Sequence, residues 1–185
     1  MKTLFRKLRT KRMAVDEAGS ISIEFVLILP LLLWWYAGSF AFFDAFRDTN
    51  SQGKAAYTIG DILSRQNEID NGYIDGLESL FKYMTASDQG VWLRVSSVKF
   101  TQDIGYTVEW SYATDGNTAL TTDMVYAYKW EEHYLPIIGS GETVILSESY
   151  VPFVPAFNIG LTARTMSNAV VTRPRFSPQL INTSF

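Results

Sequence analysis

The chain has 185 residues, 47% of them hydrophobic and 15% aromatic, which is enough for one domain with a real core plus an anchor. It has no cysteine, which excludes a disulfide framework, a thiol nucleophile and a cysteine-ligated metal. The net charge of −3 is uneven: residues 1–19 hold Lys2, Arg6, Lys7, Arg9, Lys11 and Arg12 against Asp16 and Glu17, which leaves 10 of the 16 Lys and Arg against 17 of the 19 Asp and Glu for the rest. A basic head, an apolar run and an acidic body together predict a cytoplasmic head and a translocated body. A nucleic-acid-binding arm is the competing reading of the head. It is set aside because the arm adjoins the apolar run, so no nucleic-acid partner is expected.

From Ile21 to Phe43 the only charged side chain is Glu24. As a helix this run spans about 35 Å at about 1.5 Å per residue, enough to cross a hydrocarbon core of about 30 Å. Pro30 inside it predicts a kink rather than a break. Trp34, Trp35 and Tyr36 suit an interfacial level. Two other readings stay open: a secretory signal peptide cut near Ala37-Gly38-Ser39, although the run is long for one, and a plain uncleaved anchor.

A carboxylate among lipid-facing residues costs at least about 2.5–3.5 kcal/mol and calls for a partner. Cleavage after Gly19 would give Ser20 a new α-amino group, one helical turn from Glu24. An ammonium there, from the same chain or a neighbouring subunit, offsets the cost of the buried charge. A basic leader ending in Gly19, then Ser20, Glu24 at the fifth position of the cut chain, the aromatic Phe25 and an apolar helix resemble the prepilin pattern. Within it, DEAGSISIEFVLILPLLL resembles the TadE/TadG-like pseudopilins of tight-adherence (Tad, type IVc) pili. Val170-Val171-Thr172-Arg173-Pro174-Arg175-Phe176 is a softer match to their C-terminal ends. The specific part covers about residues 16–35.

The resemblance implies a non-enzymatic minor pseudopilin, processed by prepilin peptidase at Gly19 and Ser20, with Glu24 and Phe25 setting assembly register. The implied partners are the major pilin, other minor pseudopilins, the inner-membrane assembly platform and membrane lipid. The implied roles are pilus assembly, adhesion and biofilm formation. The implied place is the bacterial inner membrane, single-pass, with a periplasmic C-terminal domain and access to the pilus. An uncleaved, inner-membrane-anchored periplasmic binding or scaffold protein is the alternative.

Beyond the membrane run, Ile28, Leu32, Trp35, Ser39, Phe42, Phe46, Thr49, Gly53, Ala56, Gly60 and Leu63 follow steps of three and four. They predict one helix from about Ser22 to Arg65, with Gly53, Ala56 and Gly60 as a helix-packing face. Two helices broken near Asn50–Gly53 are the competing reading. A second helix is expected from about Tyr73 to Thr85. Its apolar face is Tyr73, Ile74, Leu77, Leu80, Phe81 and Met84, and Asp70 or Asn71 caps it.

Strands are expected over Val91–Phe100, with a bulge at Ser96-Ser97, and over 106–112, where Tyr106, Val108, Trp110 and Tyr112 alternate as one half-buried face. A turn at Gln102–Gly105 joins them, and further strands are expected at about Thr143–Val151 and Arg164–Thr172. Asp115-Gly116-Asn117 reads as a turn, and Thr122 or Asp123 as the cap of a helix to about Tyr134. Its Tyr126, Tyr128, Trp130 and Tyr134 read as core in preference to a binding surface.

No catalytic motif appears, and no cofactor or metal is expected. His133 is the only histidine, Glu131 and Glu132 read as a solvated face, and Asp115, Asn117 and Asp123 lack calcium-loop spacing. Arg173 and Arg175 suit either an acidic partner patch or the plain surface. The expected fold is α+β, a long N-terminal transmembrane helix running into a small domain with an antiparallel sheet covered by helices. It divides into 1–19 leader, 20–43 transmembrane helix and 44–185 extracytoplasmic domain.

Overall fold

The computed structural model describes residues 20–87, 89–127, 135–157 and 160–185, and opens with one uninterrupted helix, α1, over Ser20–Ser64. Pro30 lies inside it, and the helix continues through Asn50 and Gly53. The proline forgoes one backbone bond, to the carbonyl of Val26. The leucines at 31–33 that follow are strong helix formers and carry the helix on. The chain divides into two units: residues 1–43 with 156–161, and residues 44–155 with 162–185. Residues 20–43 of α1 belong to the first unit and residues 44–64 to the second.

The second unit is α+β. After α1 come β1 (Glu68–Ile69), α2 (Asn71–Thr85), β2 (Trp92–Thr101), β3 (Gly105–Ala113), a 3-10 turn (Thr114–Gly116), α3 (Thr122–Ala127), β4 (Thr143–Phe153), β5 (Arg164–Thr172) and β6 (Ile181–Asn182). The four long strands form an antiparallel sheet in the order β3-β2-β4-β5, and β1 pairs with β6 in parallel. Asp70 caps α2, its Oδ1 accepting from the Tyr73 N–H at 2.7 Å. Ala86, at φ 51°, ends α2 in the left-handed conformation, its N–H returning to the Lys82 carbonyl. Ile74, Leu77 and Phe81 of α2 are buried, but Leu80 and Met84, expected on the same face, are exposed. The sheet takes only the strip at steps of three and four, narrower than the apolar stripe in the sequence.

Alternation divides the sheet into a helix face and a far face. On the helix face Ala55, Ala56, Ile59 and Leu63 of α1 and Ile74, Leu77 and Phe81 of α2 cluster with Val91, Leu93, Val95, Ile145, Val151 and Val170. On the far face Val98, Tyr106, Val144 and Leu146 cluster with Leu120, Val125 of α3, Leu135 and Ile138. Both faces are therefore covered, the far one by α3 and loops.

Two strand expectations are corrected by this register. β2 alternates without a slip: Leu93 and Val95 serve the helix face, Val98 and Phe100 the far face. The irregularity opposite Ser97/Val98 lies in β3, where Trp110 pairs with Ser97 and Val108 with Val98, so that Glu109 is the extra residue. This bulge splits the clean alternation of β3. Tyr106 and Val108 join the far core, while Trp110 and Tyr112 pack on the helix core.

Along α1, Thr49 Oγ1 lies 3.6 Å from Met166 Sδ, and a Cβ at Gly60 would sit 2.9 Å from Val170 Cγ1. The outer part of α1 thus runs along β5 in the same direction. Gly60 permits the close approach. Gly60→Leu is expected to lower stability by about 1–3 kcal/mol through overpacking, with Val170→Ala recovering part of the loss. Urea denaturation of the full chain measures both.

The C-terminal segment closes the helix core. The Arg175 N–H donates to the Ser64 carbonyl at 2.8 Å, and its guanidinium meets Asp61 at 2.9 Å. Trp110 Nε1–H donates to the Leu180 carbonyl at 2.9 Å, and Leu180 is buried.

Candidate functional site

The first part of α1 is a continuous apolar surface. Ile21, Phe25, Leu31, Trp35, Tyr36 and Phe43 are all more than half exposed. A monomeric domain in water rarely leaves such a surface uncovered. By length and composition, α1 is the one helix among the described residues able to cross a membrane. Gly19 and the rest of the basic leader lie outside the described residues. Glu24 lies one helical turn after Ser20 along α1. Phe25, 62% exposed, is rotated about 100° from Glu24.

The apolar run ends at Asp44, Arg47 and Asp48. Burial first, and then the nearby Asp44 charge, push the Asp48 carboxyl above its ordinary range, with Arg47 pulling it back.

The buried side of α1 differs in phase from the expected stripe. Gly38, Ala41 and Ala45 are buried, whereas Ser39, Phe42, Phe46 and Thr49 are exposed. The small residues allow close contact, and the aromatic ones turn outward. The two phases merge farther on, where Ala56 and Leu63 are buried. Of the three expected packing residues, Gly60 meets Val170 and Ala56 joins the helix core. Gly53 is only partly buried, and a Cβ there would meet nothing within 4 Å.

A second constellation escaped the sequence reading. Arg94 on β2 and Glu148 on β4 stand directly opposite each other on the far face. Arg94 Nε and Nη2 both donate to the Glu148 carboxylate at 2.6 Å, and Tyr150 Oη donates to Glu148 Oε1 at 2.5 Å. Arg94 Nη1 also donates to the Thr118 carbonyl at 3.2 Å. Trp92 stacks on Tyr150 with ring centroids 3.8 Å apart, and the guanidinium lies within 6 Å of both rings. The Glu148 side chain is 1% exposed. The fork-on-fork pair, with Tyr150 and the Thr118 carbonyl joined to it, ties β2, β4 and the segment before α3 together. Glu148 is the one charge in β4, whereas β2 carries both Arg94 and Lys99, and only the register shows which of the two meets Glu148.

The remaining candidates are dispersed. Tyr126 Oη donates to the carbonyls of Tyr106 at 3.0 Å and Ile104 at 3.3 Å, fastening α3 to the β2–β3 hairpin. Tyr128, Trp130, Tyr134, His133, Glu131 and Glu132 lie outside the described residues. Asp115 pairs with Lys82, and Asn117 donates to the Thr114 carbonyl. Among the described residues, no three His, Asp or Glu side chains gather to hold a metal ion. Arg173 meets Glu142 at 2.9 Å, and Arg175 meets Asp61, so both arginines serve contacts within the chain. In comparisons with known proteins, the chain matches no family model, no curated protein and no solved structure.

Proposed function

We propose that this chain is a non-enzymatic, TadE/TadG-like minor pseudopilin that assists assembly of a Tad-type pilus by priming, capping or scaffolding it. The observation that carries this reading is the plan of α1. It holds Glu24 one turn after Ser20, exposes an apolar half, and buries its outer half on an α+β domain. In this reading residues 1–19 stay in the cytoplasm, 20–43 cross the inner membrane and 44–185 face the periplasm. Prepilin peptidase cuts after Gly19. Glu24 pairs with a liberated amine as subunits pack beside the major pilin, other minor pseudopilins and the assembly platform. Adhesion and biofilm formation follow from the assembled pilus.

The test is N-terminal sequencing of the protein taken from membranes of its host. A start at Ser20 is the expected result. A start at Met1 would support an uncleaved anchored scaffold, and a start near residue 40 a secreted domain. Glu24→Ala is expected to be cleaved normally yet leave few surface pili, counted by electron microscopy. Normal piliation in that variant removes the register role.

A further inference from the structure

A second apolar segment accompanies the membrane-directed part of α1. The loop between β4 and β5 supplies residues 156–161 to the same unit as residues 20–43 of α1. The link is a ring contact: Phe157 meets Phe40 edge-on, with centroids 6.3 Å apart. Phe157 remains 47% exposed after this contact, and Ala156 is exposed beside it. The sequence around the loop is unusual for a solvent loop. Between Glu148 and Arg164 there is no charged residue, and the stretch Phe153-Val-Pro-Ala-Phe157 is apolar throughout. Ordinary surface loops are rich in polar and charged residues, because nothing offsets the exposure of apolar side chains to water.

The level of the contact says what could cover it. Phe40 lies nineteen residues after Ile21, about 28 Å along the helix, which is the far edge of a hydrocarbon core about 30 Å thick. The first charge beyond it is Asp44. A ring touching Phe40 from the side therefore sits where acyl chains meet headgroups, the layer that favours aromatic side chains.

We propose that the β4–β5 loop is a second membrane contact, with Phe157 inserted in the outer interfacial layer of the bilayer that α1 crosses. The occupant of this surface is lipid. The inference rests on reading α1 as membrane-spanning. It goes beyond that reading by giving the domain a second foothold at the bilayer surface. One helix alone leaves a domain free to tilt toward or away from the bilayer, and a second lipid contact restricts that tilt.

Because the chain contains no cysteine, a single introduced one is uniquely labelled. Phe157→Cys and, as the milder replacement, Ala156→Cys are labelled with a nitrobenzoxadiazole dye in the full chain, reconstituted into phosphatidylethanolamine–phosphatidylglycerol vesicles. Leu32→Cys reports on α1, and Ile137→Cys, at a position 97% exposed, reports on open water. The expected result is blue-shifted emission at 156 and 157, several-fold weaker quenching by iodide than at 137, and stronger quenching by lipid nitroxides placed near the headgroup than by those deep in the chain.

Iodide quenching at 156 and 157 equal to that at 137, with Leu32→Cys still quenched by deep nitroxides, overturns the proposal and leaves the membrane reading of α1 intact. Aqueous behaviour at all four positions overturns both.

Discussion

Arg94→Ala is expected to destabilise the sheet domain by about 3–5 kcal/mol, the loss typical of a buried ion pair broken on one side. The size follows from what remains. Glu148 is 1% exposed in its side chain, and its carboxylate accepts both forks of Arg94. Without the guanidinium the carboxylate keeps only the Tyr150 hydroxyl among these partners, and its charge stays in a dry site. The Thr118 carbonyl also loses a donor, which loosens the segment leading to α3. Urea denaturation followed by tryptophan fluorescence measures the change, and Trp92 against Tyr150 is well placed to report it. Replacing both partners together, as Arg94→Met with Glu148→Leu, is expected to recover much of the loss, because no orphaned charge remains. A single substitution that shifts the midpoint no more than an exposed pair does, about 0–1 kcal/mol, would contradict the burial seen here.

Gly19→Lys is expected to abolish maturation. If a peptidase cuts between Gly19 and Ser20, the residue before the cut must pass close to the catalytic groups, where glycine adds no side chain and lysine adds a long charged one. The variant would then run as the longer form with its basic leader attached, and Ser20 would carry no free amine. Glu24 would lose its proposed counter-charge, and surface pili would be lost with it. Mass spectrometry of the membrane fraction reads the processing, and electron microscopy reads the pili. Wild type and variant both starting at Met1, and differing in mass only by the substitution itself, would sink the cleavage step.

Local signals in the chain announced most elements of this fold, whereas the pairings that organise them were hidden. The Leu-rich run and its helical continuation gave the end of α1 to within one residue, because a long apolar helix needs no tertiary information to be recognised. Asp70 before an amphipathic stretch marked α2, and the strand limits of β5 were readable from β-branched residues. The bulge at Glu109 was not readable. Tyr106, Val108, Trp110 and Tyr112 alternate so regularly that nothing in β3 itself betrays the change of face, and only the partner strand reveals it. The Arg94–Glu148 pair failed for the same reason, since 54 residues separate two charges that meet by register alone. The buried side of α1 departs in phase from the stripe of three and four steps, because Gly38, Ala41 and Ala45 are buried while Phe42 and Phe46 are exposed.

The parallel course of α1 and β5, from Thr49 beside Met166 to Gly60 beside Val170, bears on mechanical load. A tug along the axis of α1, such as extraction from a bilayer would impose, strains this interface in shear. The contacts must then yield together, whereas a sideways pull would peel them apart in turn. Resistance to such a pull is set by the rate of unfolding rather than by equilibrium stability. The Arg175–Asp61 clasp at the end of the helix adds a tether where that load would arrive last.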